Sequence, residues 1–220
     1  MTVKAIFFDI DGTLVDSNDF HVLAWEEAFV SVDAGFDRQV IHDQIGKGTD
    51  MLVPTLLPDL DEKAVDALGE THGNIFKAKF LDRVRPFDKA HELLARVHAD
   101  GMSVVFASSA GKSELDHYLD LLDAKDLVAA STSADDVANT KPAPDIFSVA
   151  LKKIELAPDE VIVVGDTPYD MEAAGKCGIT AVAVRSGGFP DKALRSAGAV
   201  EIYDDVAALL ADFENSPLKG

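Results

Sequence analysis

Two aspartates, Asp9 and Asp11, stand two positions apart at the end of an apolar run, in the segment FFDIDGT. Side chains alternate along a strand, so both carboxylates are expected on the same side of it. Like charges this close repel each other, and one carboxylate resists ionisation unless a cation lies between them. The pair therefore indicates a cation in its immediate surroundings.

Three further features place reactive side chains at the ends of apolar runs. The run VVFASS delivers Ser108 and Ser109, and Lys141 stands just before a proline-marked helix start in KPAPD. The run VIVVG leads into Asp166, with Asp170 four residues further on. Ligands of doubly wound sheets bind outside the carboxyl ends of the strands, so these features are predicted to meet the aspartate pair in one place.

The elements that must position these side chains follow from apolar periodicity. Six short, nearly continuous apolar runs alternate with amphipathic helical patterns; the runs are KAIFFDI, MSVVFAS, LVAAS, VIVVGD, TAVAV and AVEIY. Such runs are typical of strands buried on both faces. We therefore predict an α/β fold with a Rossmann-like, doubly wound parallel sheet as its core.

The segment after the first strand has a different pattern. No β-rich run occurs between about residues 17 and 84, whereas helical stripes do, for example in NDFHVLAWEEAFV. An all-helical cap domain (17–84) is predicted as an insertion into an α/β core (1–16 and 85–220). The expected hinges lie near 15–18 and 84–87. We expect helix breaks at Gly46–Gly48 and Pro54, and a long last helix weakened by Gly69 and Gly73.

Composition narrows the function classes. The 220 residues include 39 acidic and 20 basic ones, a net charge of −19 that disfavours nucleic acid and anionic membranes as partners. The apolar runs are far too short to span a bilayer, and the first run reads as a strand and not as a signal peptide. Cys177 is the only cysteine, so no internal disulfide can form and a cytoplasmic location is expected.

In this order along the chain, the segments DIDGT, VVFASS, KPAPD and GDTPYD resemble the motifs of the haloacid dehalogenase superfamily of phosphotransferases. The resemblance implies that Asp9 is a nucleophile that accepts the phosphoryl group as an aspartyl-phosphate. Asp11 would be the general acid for the leaving oxygen and then the base for water, an acid role that needs a raised pKa. Lys141 would bridge nucleophile and phosphate.

The resemblance also implies a set of phosphate and metal contacts. Thr13 and Ser108 would hold phosphate oxygens, joined by the backbone N–H of Ser109. Mg²⁺ would be bound by Asp166, Asp9 and the backbone carbonyl of Asp11, with Asp170 supporting the metal. The charges require such help, because a carboxylate attacking a phosphate is repelled by about 4 kcal/mol per charge pair at 4 Å and an effective dielectric constant of 20. Oxygen ligands suit Mg²⁺.

The start of the helical segment, SNDFHVLAW, resembles the cap of the β-phosphoglucomutase and phosphoglycolate phosphatase branch. His21 would then lie near the hinge and couple cap closure to Asp11, and Lys47 would be the only cation of a substrate-specificity loop, IGKGTD. For His72 and Lys77, a position facing the site and an ordinary surface position both stay open. Lys89 stands about where relatives commonly carry glycine.

These observations predict a Mg²⁺-dependent phosphatase for a small phosphorylated metabolite of the sugar phosphate or phosphoglycolate type. A phosphomutase of the β-phosphoglucomutase type, which shares every catalytic residue named here, is the alternative. A receiver-like signalling domain is a remote one, because VVFASS offers no acceptor aspartate. Monomer and homodimer both remain open.

Overall fold

Six of the apolar runs form one parallel sheet in the structure, a computed structural model that describes residues 2–220. The sheet order is β5-β4-β1-β6-β7-β8, and β2 pairs with β3 in a separate two-stranded ladder. The predicted fold class is confirmed. The strands of the described residues are β1 (Ala5–Phe8), β2 (Val15–Asp16), β3 (Arg85–Pro86), β4 (Ser103–Ala107), β5 (Val128–Thr132), β6 (Val161–Gly165), β7 (Thr180–Val184) and β8 (Ala199–Tyr203).

The helices cover both faces of this sheet and form the segment between β2 and β3. Within residues 2–220 no helix is both long and apolar enough to cross a membrane. The helices are α1 (Asn18–Val30), α2 (Arg38–His42), α3 (Thr49–Leu56), α4 (Glu62–Lys79), α5 (Ala90–Ala99), α6 (Lys112–Leu121), α7 (Asp145–Ile154), α8 (Pro168–Lys176), α9 (Asp191–Ala197) and α10 (Val206–Ala211).

Alternation along the central strand divides the core between two faces. Ile6 and Phe8 of β1 pack into one apolar cluster, which includes residues of α5, α6 and α10. Ala5 and Phe7 pack into the other, with residues of α7, α8 and α9. Both clusters are buried, so β1 is apolar at every position, as expected for a strand covered on both sides.

The chain reverses its direction of travel across the sheet at β1. From β1 it passes to β4 and β5 on one side, and later to β6, β7 and β8 on the other. Phe8 is paired with Phe106 of β4 and with Val164 of β6. The carboxyl ends of these three strands therefore lie side by side at the topological switch point, where doubly wound sheets bind ligands.

Helices α1 to α4 have an apolar cluster of their own, in which Trp25 and Phe29 are buried. The two chain connections between this segment and the sheet run beside each other, since Val15 pairs with Pro86 in the β2–β3 ladder.

Pro54 does not end a helix as expected, because α3 continues to Leu56. Its proline ring removes one backbone donor, and the buried neighbours Leu52 and Val53 hold the helix in place.

Gly69 does not interrupt α4, which runs unbroken to Lys79. A side chain at Gly69 would place its Cβ 2.5 Å from the Thr49 methyl carbon of α3. The glycine therefore costs some helix propensity but allows α3 and α4 to approach closely.

Lys89, immediately before α5, has φ 63° and ψ 12° in the left-handed region. This conformation costs a residue with a side chain roughly 1–2 kcal/mol, whereas glycine adopts it freely. The residue type departs from the glycine expected there, but the backbone has the shape that glycine would take.

Replacing Lys89 by glycine should therefore stabilise the protein by about 0.5–1 kcal/mol, after allowing for the greater freedom of glycine in the unfolded chain. The melting temperature should rise by about 2 °C. Glu92→Gln is the matched control, because it removes the exposed Lys89–Glu92 ion pair (3.0 Å) and leaves the backbone unchanged. A Lys89→Gly variant less stable than Glu92→Gln would contradict this interpretation.

Candidate active site

The central strands deliver three of the expected side chains to one place. Asp9 follows β1, Ser108 follows β4 and Asp166 follows β6, and the paired ends of these strands align them in one row. The Asp9 amide extends the sheet by donating to the Val164 carbonyl at 2.9 Å. All three residues are buried, with at most 5% of their surface exposed.

Lys141 is fully buried and lies between two acids. Its Nζ is 2.5 Å from Asp9 Oδ1 and 2.7 Å from Asp170 Oδ1. Burial alone would lower the pKa of Lys141, but the charges of Asp170 and Asp9 outweigh burial and raise it. Burial, together with the Asp170 charge, raises the pKa of Asp9 to about 7, against the opposing effect of Lys141. Lys141 is therefore a permanent cation at the centre of the site.

Three buried acids converge beside this lysine. One carboxylate oxygen from each of Asp9, Asp166 and Asp170 lies within 4.8 Å of the others. Burial raises the pKa of Asp166 well above its ordinary value, and the Asp9 and Asp170 charges add to this effect. Lys141 balances one of the three negative charges, so the cluster fits a divalent cation, and its all-oxygen donor set fits a hard ion.

Asp166 is oriented by donors from the first motif and from the start of α1. Thr13 Oγ1 donates to Asp166 Oδ1, and Asn18 Nδ2 donates to Oδ2, both at 3.0 Å. Gly12 makes this approach possible, because a Cβ at φ 75° would lie 2.3 Å from both Asn18 Nδ2 and Asp166 Oδ2. The fully buried Thr13 hydroxyl thus contacts an acid in this structure, and its predicted phosphate contact stays a prediction.

The Asp11 carboxylate faces away from the acid cluster and receives its donors on one oxygen. Ser17 Oγ (2.6 Å), Tyr118 Oη (2.9 Å) and His21 Nε2 (3.2 Å) all approach Asp11 Oδ1. Burial works to raise the pKa of Asp11, but His21 and the hydroxyl donors outweigh it and lower the pKa. The raised pKa expected for an acid is therefore absent in this arrangement, and the role of Asp11 as a metal ligand through its backbone carbonyl stays a prediction.

His21 lies within an aromatic cluster of α1 and α4. Its ring stacks on Phe76 at 3.9 Å, and its Nδ1 is 3.4 Å from His72 Nε2. Burial would lower the pKa of His21, but Asp11 outweighs burial and raises it. The pKa of His72, which stacks on Trp25 at 4.1 Å, is well below its usual value because of burial and the neighbouring His21. His21 thus lies between Asp11 on one side and His72 on the other, and the Asp11 charge favours its protonated form.

A cavity of about 840 Å³ opens between the strand ends and the helices α1 to α4. Ser108 and Ser109 line it, together with Asp9 and Asp11. Ser108 Oγ accepts a hydrogen bond from the Ala110 amide at 3.0 Å. The helical segment supplies His21, Lys47, His72 and Lys77 to the same cavity, so the open question about His72 and Lys77 is answered in favour of a position at the cavity wall.

Lys47 is held by its own segment. Its Nζ donates to Gln44 Oε1 at 2.6 Å and lies over the Tyr169 ring, 4.7 Å from its centroid. Burial lowers the pKa of Lys47. Lys47 lines the cavity and its ammonium group has three donors, so the predicted substrate contact is compatible with the bond to Gln44 and stays a prediction.

The loop from Gly46 to Asp50 is bound to the catalytic face at two points. Ser109 Oγ donates to the Gly46 carbonyl at 3.1 Å. Thr140, the residue before Lys141, donates from its backbone N (2.9 Å) and from its hydroxyl (2.5 Å) to the two oxygens of Asp50. The closed position of the loop is therefore linked to the backbone that presents the buried lysine.

Breaking this link should slow turnover. Thr140→Val removes the hydroxyl and keeps the shape. It leaves one Asp50 oxygen without its donor and the Gly48 amide, 2.8 Å from the hydroxyl, without its acceptor, at a cost of about 1–3 kcal/mol for each group. We expect kcat/KM for 4-nitrophenyl phosphate to fall about tenfold. Asp50→Asn should have a smaller effect on the Thr140→Val background than on the unmodified chain.

Thr71→Val is the matched control, because the Thr71 hydroxyl bonds only the Ala67 carbonyl of its own helix in the described structure. Equal losses in Thr140→Val and Thr71→Val, or strictly additive effects of Thr140→Val and Asp50→Asn, would contradict the proposed link.

The fold is a doubly wound parallel α/β sheet with an inserted helical segment and a buried acid cluster at its switch point. The model of one protein family, the haloacid dehalogenase-like hydrolases, matches residues 6–184, and the chain belongs to this family. The predicted superfamily is thereby confirmed, and the match gives no support to the receiver-like alternative.

The chain is similar to several characterised or solved proteins. It is 26% identical to a phosphoglycolate phosphatase of Rhodospirillum rubrum over 94% of this chain and 89% of that protein. A fructose-1-phosphate phosphatase of Escherichia coli is also 26% identical, over 82% of this chain and 95% of that protein. A hydrolase structure from Pseudomonas syringae has a TM-score of 0.91 and 30% identity, covering 97% of this chain and 98% of that chain. These relatives and the family match bear out the prediction of a phosphatase.

Several residues of the site escaped the sequence-based reasoning. Tyr118 and Asn18 contact the predicted acids from helices, at positions that look like ordinary amphipathic ones. His42 Nε2 lies 2.9 Å from the Gly187 carbonyl and so connects α2 to the loop after β7. Only Asn18 carried a signal, because it directly follows the first motif and its hinge.

Proposed function

We propose that the chain is a Mg²⁺-dependent phosphatase that hydrolyses a small phosphorylated metabolite through an aspartyl-phosphate. The observation that carries the proposal is the buried Lys141, paired with Asp9 at 2.5 Å beside two further acids that converge with Asp9. A carboxylate without a partner is costly to bury, so this arrangement is maintained for a charged reaction centre.

Asp9 is the proposed nucleophile. Its Oδ1 is held by Lys141, and its carboxylate also reaches the cavity, where a phosphate ester would lie. Lys141 offsets part of the repulsion between this carboxylate and the phosphate anion. The leaving alcohol takes a proton as the phosphoryl group is transferred to Asp9, and water then hydrolyses the acyl phosphate to release phosphate.

Asp11 and His21 are proposed to handle that proton together. They lie 3.2 Å apart, and the donors found for Asp11 in residues 2–220 all address Oδ1, which leaves Oδ2 for the substrate. Asp11 would pass the proton of the pair to the leaving oxygen, and in the second step it would take one from water. His21 belongs to α1, so the complete pair requires the helical segment to be closed over the sheet.

Asp9, Asp166 and Asp170 are the side chains proposed to hold Mg²⁺, which would supply positive charge to the transferring phosphoryl group. Thr13 and Asn18 keep Asp166 directed at this position.

The proposed domain division places residues 17–84 in a cap and residues 1–16 with 85–220 in the core. The chain passes between the two parts at β2 and again at β3. A cytoplasmic location is also proposed.

Asp9→Asn should abolish phosphate release, lowering kcat for 4-nitrophenyl phosphate by at least about 10⁴-fold. The variant should remain folded, because Lys141 keeps its contact with Asp170 at 2.7 Å. Asp16→Asn, an exposed acid of the same segment, is the control and should retain activity. Turnover of Asp9→Asn within a hundredfold of the unmodified chain would exclude Asp9 as the nucleophile.

Asp166→Asn should separate metal binding from stability. Without metal, removing one of three crowded charges should leave the melting temperature equal or raise it by about 2–4 °C. Added Mg²⁺ should stabilise the unmodified chain and fail to stabilise the variant, since the variant lacks one ligand. Asp159→Asn, which alters an exposed acid, controls for net charge. Equal Mg²⁺ stabilisation of all three proteins would place the metal elsewhere.

A phosphomutase would use the same side chains, so the residues alone do not separate the two activities. Phosphate release from a sugar monophosphate supports the phosphatase. Isomerisation of the sugar phosphate only when its bisphosphate is supplied would support the mutase instead.

A further inference from the structure

One acid of the cavity wall has no role in the proposed reaction. Glu114, in the first turn of α6, lines the cavity and is only 7% exposed. Within residues 2–220, no donor lies within hydrogen-bond distance of its carboxylate, and the pKa of Glu114 is raised by burial. Asp11, by contrast, receives three donors. A buried carboxyl group left without a partner in a ligand cavity gains more from a ligand donor than an exposed one does.

Helix geometry places Glu114 on the leaving-group side of the site. Glu114 and Tyr118 are four residues apart on α6 and therefore share one face of the helix. Tyr118 Oη donates to Asp11 Oδ1 at 2.9 Å, next to the proposed proton transfer to the leaving oxygen. Glu114 thus lies one helical turn from Tyr118, which contacts the carboxylate proposed to protonate the leaving oxygen, and not beside the Lys141 that faces the phosphate.

The charges around Glu114 favour a cationic or donor group over an anion. His21 and Lys77 act on it as positive charges, and Asp11 and Asp135 as negative ones. Two more acids of α4, Asp66 and Glu70, line the same cavity. Two lysines of the cavity wall oppose these acids. Lys77 is exposed and stays hydrated, and Lys47 is held by Gln44 and over the Tyr169 ring, so both attract an anion less than the desolvated Glu114 repels one.

We propose that Glu114 selects a phosphate monoester whose alcohol part carries a hydrogen-bond donor, an ammonium group above all, and rejects one that carries a carboxylate. This proposal rests on the phosphatase function proposed above and assigns its substrate class: aminoalkyl or amino-sugar monophosphates, in preference to phosphoglycolate. The cavity of about 840 Å³ has room for the larger of these.

The test compares two esters of equal length, 2-aminoethyl phosphate and phosphoglycolate, by kcat/KM in Mg²⁺. Glucosamine 6-phosphate and 6-phosphogluconate repeat the comparison with six carbons. The unmodified chain should prefer the ammonium ester at least about tenfold in one of the pairs. Glu114→Gln keeps the shape and removes the charge, and it should reduce that preference about tenfold. The ratio within each protein is the readout, so a general loss of activity does not affect it.

Asp116→Asn is the matched control, because Asp116 is an exposed acid of the same helix that pairs with Lys112 at 3.3 Å. It should leave both ratios unchanged. A preference for the carboxylate esters, or equal ratios in Glu114→Gln and the unmodified chain, would overturn the proposal. In that case Glu114 only interacts with the positive, N-terminal end of the α6 dipole.

A binding experiment keeps this inference separate from the proposed function. If 4-nitrophenyl phosphate and all four esters resist hydrolysis, the phosphatase proposal fails. Calorimetric titration of the same esters into Asp9→Asn, with and without Glu114→Gln, then decides the selectivity. Tighter binding of the ammonium ester that is lost in the double variant supports the proposal, and equal binding of both esters refutes it.

Discussion

The structure depends on one buried cation among three buried acids. Lys141 is fully enclosed, and ion contacts of 2.5 and 2.7 Å tie it to Asp9 and Asp170. A buried ion pair does little for net stability because desolvation offsets its attraction, but removing one partner is strongly destabilising. Asp9 and Asp170, which contact Lys141, are therefore more costly to replace than Asp166, which is not paired with the lysine. The remaining negative charge of the cluster fits a divalent cation, which in the proposed reaction would also attract phosphate.

The same lysine connects the two parts of the chain. Thr140, its neighbour in sequence, is the residue on which Asp50 and the loop from Gly46 close. On the other side of the cavity, His21 of α1 reaches Asp11. Closure of the helical segment thus adds a proton-carrying partner at Asp11 and secures the backbone next to Lys141. A site assembled in this way is complete only when the cavity is covered, which excludes water from a charged reaction.

The neighbours of Asp11 change the role that its motif predicts. A general acid needs a proton, yet three donors on one oxygen lower its pKa despite burial. The Asp11 charge favours a proton on His21, whose pKa it raises against the effect of burial. The proposed acid function thus depends on two residues from different elements, and His72 contacts His21 from the other side.

The six strands, the helical insertion and the acids at strand ends could be predicted from the sequence. The reason is local: strands buried on both faces require unbroken apolar runs, and acids such as Asp166 at their ends are costly without a cation. The contacts of Thr13, Asn18, Tyr118 and Glu114 could not be predicted. Each depends on which helix face meets which strand end, and amphipathic periodicity does not reveal this. By itself, then, the sequence determined which acids and which lysine are candidates for a reaction centre. Tertiary packing decided which side chains donate to those acids and which of them line the cavity, because these contacts join elements that are far apart along the chain.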